Sequence, residues 1–342
     1  MRIFKTLSRL VLGAGCLMAL ASCDKTIYDD GGVCTPEVRF TYDWNMKFAD
    51  AFTPEVRTVS LYVFDAQGKY LRTYTSTSNS LILDGIADGS YTFVALSTWT
   101  RTEALVTPLA FSVPALTVGT STVADLTAKL AVEGTEVTTD INPLYHSYDG
   151  KDNVYVLPAT VKGNTVSIGS KADNVIPMMK DTNSIRVSLQ QISGLHLDLD
   201  DYIFTIESAN TQYNGDNSFI ADAPRVTYSP WAVESGHADI EGIEGDVLNV
   251  VVAEFTVGRL VPADKPMLTI TNREGQVVFR IPVTDYLLLV KGNYNRQMTD
   301  QEYLDRQDEY TMTFFLDENG DWFNSRILIN GWVIVRNNET LK

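Results

Sequence analysis

The sequence of 342 residues is poor in the side chains that most often carry chemistry. It contains three cysteines and three histidines. The histidines (His146, His196 and His237) are far apart, and none has a partner at metal-ligand spacing. There is no H-E-x-x-H, G-x-S-x-G, phosphate-loop or dinucleotide-binding motif. We therefore expect neither an enzyme nor a protein that depends on a metal or a cofactor.

Basic residues are also scarce. Lysine and arginine number 27 against 43 aspartates and glutamates, which gives a formal net charge of −16. The first 22 residues hold Arg2, Lys5 and Arg9 and no acidic residue, so the rest of the chain carries −19. A chain this acidic does not favour nucleic acid or anionic lipid headgroups, and we expect no nucleic-acid partner.

The N-terminus has the pattern of a lipoprotein signal segment over residues 1–22. Its apolar stretch, Leu10 to Ala21, is too short to remain as a membrane-spanning helix. It ends in L-A-S-C, which provides the branched and small residues that a lipoprotein signal peptidase requires. We expect the mature chain to begin at Cys23, held in a membrane by fatty acyl chains such as palmitate. The alternative is an ordinary secretory peptide with an incidental cysteine.

The cysteine count excludes a disulfide framework, because Cys16 leaves with the signal and Cys23 carries lipid. Residues 23–33 are acidic and rich in turn formers, which predicts a tether between the lipid and the fold. Cys34 then has no partner and no sequence-adjacent histidine. We expect it to be a small buried hydrophobic residue rather than a catalytic thiol.

From residue 34 onward the pattern predicts an all-β protein. Alternating runs rich in valine, threonine and aromatic residues, such as E-V-R-F-T-Y-D-W (37–44), indicate half-buried strands. A hydrophobic content of 44% over this length is enough for about two domains. Only one or two short helices are expected. One runs from about Asp300 to Gln307 behind a T-x-x-E capping box, and a second possible turn lies near Tyr42 to Phe52.

Three segments share a hairpin pattern in which aspartate or asparagine opens a turn and glycine closes it. They are V-F-D-A-Q-G-K-Y-L (63–71), I-T-N-R-E-G-Q-V-V (270–278) and F-L-D-E-N-G-D-W-F (315–323). In the third, Asp317, Asn319 and Asp321 also resemble the start of a calcium loop. The glycine is at the fourth position instead of the sixth and no glutamate follows at the twelfth position, so we expect a turn and no metal.

A longer recurrence relates residues 81–96 to residues 187–208. Each has an apolar strand, a glycine followed by an apolar residue, a short turn, and an alternating strand opened by tyrosine. The recurrence predicts two β-sandwich domains of related plan in tandem. We place them at residues 34–180 and 181–342.

Aromatic residues leave a second function open. The five tryptophans lie in or beside apolar strands, where burial in the core is the more common outcome: Trp44, Trp99, Trp231, Trp322 and Trp332. A surface glycan-binding β-sandwich lipoprotein is the alternative function. It predicts an exposed, coplanar pair of aromatic rings.

The C-terminus is strongly apolar, with R-I-L-I-N-G-W-V-I-V-R at residues 326–336. Asn330-Gly331 forms either a tight hairpin turn or a bulge within one long strand. In both cases the last ordered element is an apolar strand, the kind that pairs with other chains.

Several segments together resemble the FimB-type fimbrial anchor family of Bacteroidales lipoproteins, which is related to the fimbrillins. They are D-K-T-I-Y-D-D-G-G-V-C after the lipoprotein cysteine, V-R-F-T-Y-D-W-N-M-K-F-A-D-A-F (38–52), V-S-L-Y-V-F-D-A-Q-G-K-Y-L (59–71), Y-L-D-R-Q-D-E-Y-T-M-T-F-F-L-D (303–317) and I-L-I-N-G-W-V-I-V (327–335). The block at 39–68 is the most specific. The stretch at 101–180 is weakly diagnostic.

The resemblance implies a surface-exposed outer-membrane lipoprotein. It would lie at the base of a fimbrial shaft and influence the attachment and length of that shaft. It also implies two transthyretin-like Greek-key β-sandwich domains, lipid on Cys23 and no catalytic residue. Because lipid holds the N-terminus, we expect the chain to keep its first strand. It would then pair with shaft subunits through its C-terminal strand or an exposed sheet edge.

Overall fold

The computed structural model describes residues 36–87, 89–100, 106–148, 154–157, 175–191, 197–220, 222–239 and 247–335. The expected signal segment, Cys23, the tether, Cys34 and His196 lie outside these residues. In the part that is described, no helix is long and apolar enough to cross a membrane.

Strands dominate the described residues, as the alternating sequence predicts. Those before residue 181 are β1 (Glu37–Thr41), β2 (Val59–Phe64), β3 (Tyr70–Ser76), β4 (Ser80–Ile82), β5 (Gly89–Thr98), β6 (Phe111–Ser112), β7 (Thr127–Leu130), β8 (Glu136–Val137), β9 (Leu144–Ser147), β10 (Val154–Leu157) and β11 (Val175–Lys180). Those that follow are β12 (Thr182–Gln191), β13 (Tyr202–Ser208), β14 (Gln212–Asn214), β15 (Val226–Tyr228), β16 (Ala232–Asp239), β17 (Val247–Gly258), β18 (Met267–Asn272), β19 (Val277–Pro282), β20 (Glu309–Leu316), β21 (Trp322–Ile329) and β22 (Trp332–Val335).

These strands form four sheets. The N-terminal sheet has the order β3-β2-β5-β9-β11-β1-β4, with β10 also paired to β5. A six-stranded sheet, β16-β17-β12-β20-β21-β22, and a five-stranded sheet, β19-β18-β13-β15-β8, contain most of the later strands. Strands β14, β7 and β6 form a small three-stranded sheet. The fold is all-β, with β-sandwich packing, as predicted.

Two main hydrophobic cores hold the sheets together. One lies in the N-terminal sheet and includes Val38, Phe40, Leu61 and Phe93. The larger core joins the six- and five-stranded sheets through alternate side chains of β12, β17, β18 and β20. On β20 this alternation buries Tyr310, Met312, Phe314 and Leu316 and leaves the residues between them more exposed. The period of two in the sequence therefore marks the inner face of each sheet.

Strand pairing does not follow chain order. Strand β11 ends at Lys180 in the N-terminal sheet, and β12 begins at Thr182 in the six-stranded sheet. However, β7 and β8 pair with β14 and β15, which lie some 80 to 90 residues further along the chain. The division into domains at 34–180 and 181–342 therefore stays a prediction.

All three predicted hairpins are present. Their closing glycines, Gly68, Gly275 and Gly320, have φ angles of +73°, +78° and +79°, which glycine adopts at little cost. Each hairpin carries a register shift beside its turn. In the third, Oδ1 of Asp317 accepts hydrogen bonds from the backbone N–H of Asn319 and of Asp321. The alternating oxygen side chains are thus explained by turn geometry.

Within the described ranges, three short α-helices accompany the strands: α1 (Phe52–Glu55), α2 (Val283–Leu288) and α3 (Asp300–Arg306). The predicted helix behind Thr299 is confirmed, and the Thr299 hydroxyl accepts a hydrogen bond from Glu302 N–H at 3.0 Å. The helical turn suggested for residues 42–52 is wrong in position, because α1 begins only at Phe52. Helix α2 was not anticipated, since V-T-D-Y-L-L is too short and too apolar to separate from a strand by periodicity.

Candidate functional site

The C-terminal segment is a tight hairpin, which decides between the two alternatives left open by the sequence. Asn330 and Gly331 have φ angles of 49° and +79° and form the two-residue turn between β21 and β22. Asn330 also fastens the turn to β20. Its backbone N–H donates to the Thr311 carbonyl, and its side-chain oxygen accepts from Thr311 N–H, both at 2.8 Å.

Strand β22 is an apolar edge strand. In the described part of the chain no strand pairs with its outer side. Trp332 stands opposite Ile329 on the core-facing side of the sheet, yet it is 67% exposed, whereas Ile329 is fully buried. Val333 on the other face is 47% exposed. Natural edge strands are usually blunted by charge, proline or a bulge, and W-V-I-V supplies none of these.

The opposite edge of the same sheet is protected in the usual way. Strand β16 exposes Glu234 and His237 and carries Gly236 between them. Charge and glycine both disfavour the addition of another strand. The sheet therefore has one edge that resists pairing and one, β22, that invites it.

A second cluster, made of aromatic and charged side chains, lies where the N-terminal sheet meets α3. Trp44 is sandwiched between Tyr148, at 3.7 Å between ring centroids, and the Arg306 guanidinium, at 3.6 Å from the Trp44 ring. Arg306 also binds Glu302 at 3.0 Å and the Asp43 carbonyl at 3.2 Å. This stack joins the distinctive sequence block at 38–52 to the segment at 303–317.

A polar chain of contacts continues beside the stack. The Tyr145 hydroxyl donates to Glu55 at 3.0 Å. Lys180 lies between Glu55, at 3.8 Å, and Asp308, at 2.7 Å. Lys180 is the last residue of β11, so its ammonium group connects the N-terminal sheet to the loop before β20.

A buried ion pair lies behind this surface. The Arg259 guanidinium binds the Asp305 carboxylate through two parallel hydrogen bonds of 2.7 Å. Its remaining terminal nitrogen donates to the Asn217 carbonyl at 2.9 Å. The two side chains are only 14% and 4% exposed. Removing either partner would leave a buried charge uncompensated.

Asp181, which links β11 to β12, is fully buried near this ion pair. Burial raises the pKa of its carboxyl to about 7, although the charge of Arg259 and a hydrogen bond from Asn217 act in the opposite direction. Asn217 Nδ2 donates to Asp181 Oδ1 at 3.2 Å. Among the described residues, Asp181 Oδ2 and Asn217 Oδ1 have no hydrogen-bond partner. A proton on Asp181 would give this pair the donor that it lacks.

We expect Asp181→Asn to remove a pH-dependent component of stability. Between the ordinary pKa of an aspartate and about 7, the folded protein holds a proton that the unfolded chain releases. The free energy of unfolding should therefore fall as pH rises through this window and be level above it. The asparagine variant should match the parent near pH 4 and exceed it at pH 8 by a few kcal/mol.

Chemical denaturation at several pH values measures this difference. Asp200→Asn is the matched control, because the Asp200 side chain is 80% exposed and solvent screens its charge. A constant difference between the Asp181 variant and its parent from pH 4 to pH 8 would contradict the assignment.

The histidines considered in the sequence as catalytic or metal-ligating residues do not lie together in the described structure. His146 is buried and its pKa is lowered to about 4 by burial, so it stays neutral at physiological pH. His237 lies on the exposed edge β16, on a different sheet. Within the described ranges, no group of three or more histidine, cysteine, aspartate or glutamate side chains could hold a metal ion.

The tryptophans differ from expectation. Core burial is wrong for Trp332, which is largely exposed, and the other four are only half-buried. Trp332 projects at the edge of its sheet, where nothing described covers it. Trp44 has both ring faces covered, by Tyr148 and by Arg306. It therefore offers no free face for a sugar to stack on.

Comparison with known proteins identifies a family. A family model described as Mfa2, the fimbrillin-A associated anchor proteins Mfa1 and Mfa2, matches residues 32–338. The match includes the described strands from β1 to β22. No curated protein sequence matches the chain significantly.

Solved structures agree with this match. A proposed adhesin from Bacteroides thetaiotaomicron is 29% identical with a TM-score of 0.72, over 89% of this chain and 98% of the other. A proposed polysaccharide-binding protein from the same organism is 28% identical with a TM-score of 0.70, over 89% and 99%. The fimbrial anchor protein Mfa2 from Porphyromonas gingivalis is 18% identical with a TM-score of 0.60, over 87% and 98%, which shows a shared fold.

Proposed function

Because this chain belongs to the family of fimbrillin-A associated anchor proteins, we propose that it is an anchor subunit that tethers a fimbrial shaft to the outer membrane. Family membership supports a fimbrial anchor or adhesin-like role at the cell surface. In detail, we propose two separate attachments, one to the membrane and one to the shaft. Lipid on Cys23 would hold the N-terminus in the outer membrane, and a sheet edge would hold the shaft. The role is structural and includes no catalysis.

The observation that carries the shaft contact is the uncharged edge strand β22. In a two-residue hairpin, the residues that flank the turn hydrogen-bond to each other, and every second pair does the same. Trp332 and Ile334 thus bond to β21. The backbone N–H and C=O of Val333 and Val335 point toward the free edge. An added strand would bond to these groups and cover Trp332 with its own side chains.

Val333→Lys is expected to reduce shaft attachment by about tenfold or more, because a lysine on an edge strand opposes strand addition. Val277→Lys is the matched control. Val277 is an exposed valine (60%) on β19, an edge of the facing sheet. Both sites are solvent-exposed, so neither lysine should lower the melting temperature appreciably.

The measurement is electron microscopy of fimbriae on cells and in the medium. A strain that lacks the gene would be complemented with the parent, with Val333→Lys or with Val277→Lys. Long, shed fimbriae in the deletion strain and in Val333→Lys alone would support the proposal. Normal attached fimbriae with Val333→Lys would refute the β22 contact, and unchanged fimbriae in the deletion strain would refute the anchor role.

Point substitutions are better suited to this test than truncation at residue 327. Ile327 and Ile329 belong to the larger core and are 4% and 0% exposed. Their removal would destabilise the sandwich whether or not β22 contacts a shaft.

The alternative function, glycan binding on a stacked aromatic platform, is not favoured. It predicts an exposed, coplanar pair of rings, whereas Trp44 is covered on both faces and Trp332 projects from an edge strand. A sugar held mainly by hydrogen bonds would need a different site.

A further inference from the structure

Phe48 has a backbone conformation that is unusual for a bulky residue. Its φ angle is 51°, in the left-handed region, where an L side chain crowds the backbone and few residues other than glycine, asparagine and aspartate are found. The other non-glycine residues with positive φ in the described ranges are two asparagines and a lysine: Asn217, Asn330 and Lys265. A backbone outlier that the surrounding structure maintains points to a role for the residue that adopts it.

Polar side chains of the loop at 42–52 maintain this conformation. Asn45 is buried, and its side-chain amide donates to two backbone carbonyls of the loop, at 2.9 and 2.8 Å. The Phe48 N–H donates to the Asn45 carbonyl at 3.2 Å. Asp50 Oδ1 accepts from two backbone N–H groups, at 2.9 and 3.0 Å. The position of Phe48 is therefore fixed in the free protein, which lowers the entropy cost of a contact at its ring.

The Phe48 ring extends the stack that Tyr148, Trp44 and Arg306 form. The Arg306 guanidinium lies 5.0 Å from the Phe48 ring centroid, within the range of a cation–π contact. Arg306 is only 11% exposed, whereas Phe48 is 60% exposed. Among the described residues, most of the Phe48 ring therefore stays free for contact with another molecule.

The surface around this ring is acidic. Of the exposed charged residues in the two segments that form it, 42–55 and 302–309, three are carboxylates and one is a cation: Asp43, Asp50, Glu309 and Lys47. The partly buried cations are already held by carboxylates, Lys180 by Glu55 and Asp308, and Arg306 by Glu302. An excess of exposed negative charge remains, and complementarity of charge favours a basic partner.

We infer that the Phe48 patch, made of Trp44, Phe48, Tyr148 and Arg306, is a docking surface for a basic segment of a partner protein that presents arginine. The planar guanidinium of that arginine stacks on the free part of the Phe48 ring, and the exposed carboxylates balance its charge. Aromatic residues and arginine dominate the binding energy of many protein interfaces. This surface is separate from β22, and the inference does not rest on the shaft contact.

The test is fluorescence anisotropy with the full chain, purified in detergent, and a labelled peptide of alternating glycine and arginine. Phe48→Ala should weaken binding about fivefold, the size of a cation–π contact. Phe323→Ala is the matched control, because Phe323 is an exposed phenylalanine (43%) on β21, outside the patch. Its affinity should stay within about twofold of the parent, the usual effect of a surface substitution.

Two further peptides separate charge from stacking. One has citrulline, the uncharged isostere of arginine, and the other has lysine, which carries the charge without the planar group. Both should bind at least about threefold more weakly than the arginine peptide. Failure of the arginine peptide to bind would overturn the inference, and so would equal affinity for the lysine or the citrulline peptide.

Phe48→Gly separates binding from folding. Glycine adopts positive φ at little cost, so the midpoint of thermal unfolding should stay level or rise while the affinity for the arginine peptide falls. A ring that only stabilises the loop predicts the reverse, a lower midpoint and an unchanged affinity, and this result would also overturn the inference. Val333→Lys should bind the peptide as the parent does, so loss of the shaft contact and loss of the Phe48 patch can be distinguished.

Discussion

Replacing Arg259 with methionine is expected to lower the free energy of unfolding by about 3–5 kcal/mol, because the Asp305 carboxylate is left buried without its counter-ion. Asp305 is 4% exposed and, among the described residues, would keep only the side-chain hydrogen bond from Gln301, at 2.7 Å. The lost guanidinium also leaves the Asn217 carbonyl without one of its donors. Urea denaturation at pH 7 measures the change.

Two further variants separate the ion pair from simple loss of packing. Arg280→Met is the matched control, since Arg280 binds Glu207 at 3.0 Å with both side chains about half exposed, and it should cost less than about 1 kcal/mol. The double variant Arg259→Met/Asp305→Leu should recover much of the loss, because no unpaired charge remains. If Arg259→Met costs no more than Arg280→Met, the pair does not stabilise the fold.

The Arg259 variant also bears on Asp181. The charge of Arg259 lowers the pKa of this buried carboxyl, although burial raises it by more. Removing the guanidinium should therefore raise the pKa of Asp181 further. The pH window in which stability falls should extend to higher pH in the Arg259→Met protein.

Gly258→Ala is expected to cost about 3 kcal/mol or more, at or above the usual range for an overpacked core. An added Cβ would lie 2.1 Å from the Asn210 carbonyl oxygen and 2.6 Å from the Tyr213 hydroxyl. The first atom belongs to the backbone and cannot move aside alone. Tyr213 is held by bonds to the Asn210 carbonyl and from Arg259 N–H, both at 2.8 Å.

Gly236→Ala is the matched control for this substitution. Gly236 also lies within a strand of the six-stranded sheet, but its added Cβ would meet only Val250 Cγ1, at 3.4 Å. We expect a change within about 0.5 kcal/mol, or a slight gain from the reduced entropy of the unfolded chain. Equal effects of the two alanines on the melting temperature would show that the contacts around Gly258 relax easily.

Features that depend on a few neighbouring residues could be predicted from the sequence. The turns closed by Gly68, Gly275 and Gly320 need only a glycine at positive φ and a polar side chain to open the turn. The cap of α3 needs only Thr299 and the N–H of Glu302. For each of these, the decisive hydrogen bonds join residues within five positions of one another.

Long-range features were not predictable in this way. Arg259 and Asp305 are 46 residues apart, and nothing in either sequence neighbourhood indicates the other. The pairing of β12 with β20 is parallel and joins residues about 125 positions apart. The stack of Trp44 on Arg306 likewise combines two distant segments, so no local motif could mark it. The sequence gives only indirect evidence that these two segments are important: both lie in the blocks that resemble the family.

The sequence by itself determined the all-β class, the hairpins, the capped helix, the family and the expectation of lipid on Cys23. Each rests on local backbone chemistry or on a contiguous motif. Only the tertiary structure decided that β22 is an edge with no described strand on its outer side, that Trp332 is exposed and that Asp181 is buried beside an ion pair. The reason is physical: alternation marks which face of a strand is apolar, but burial depends on which strands and loops lie beside it. Those neighbours are set by the packing of the whole chain.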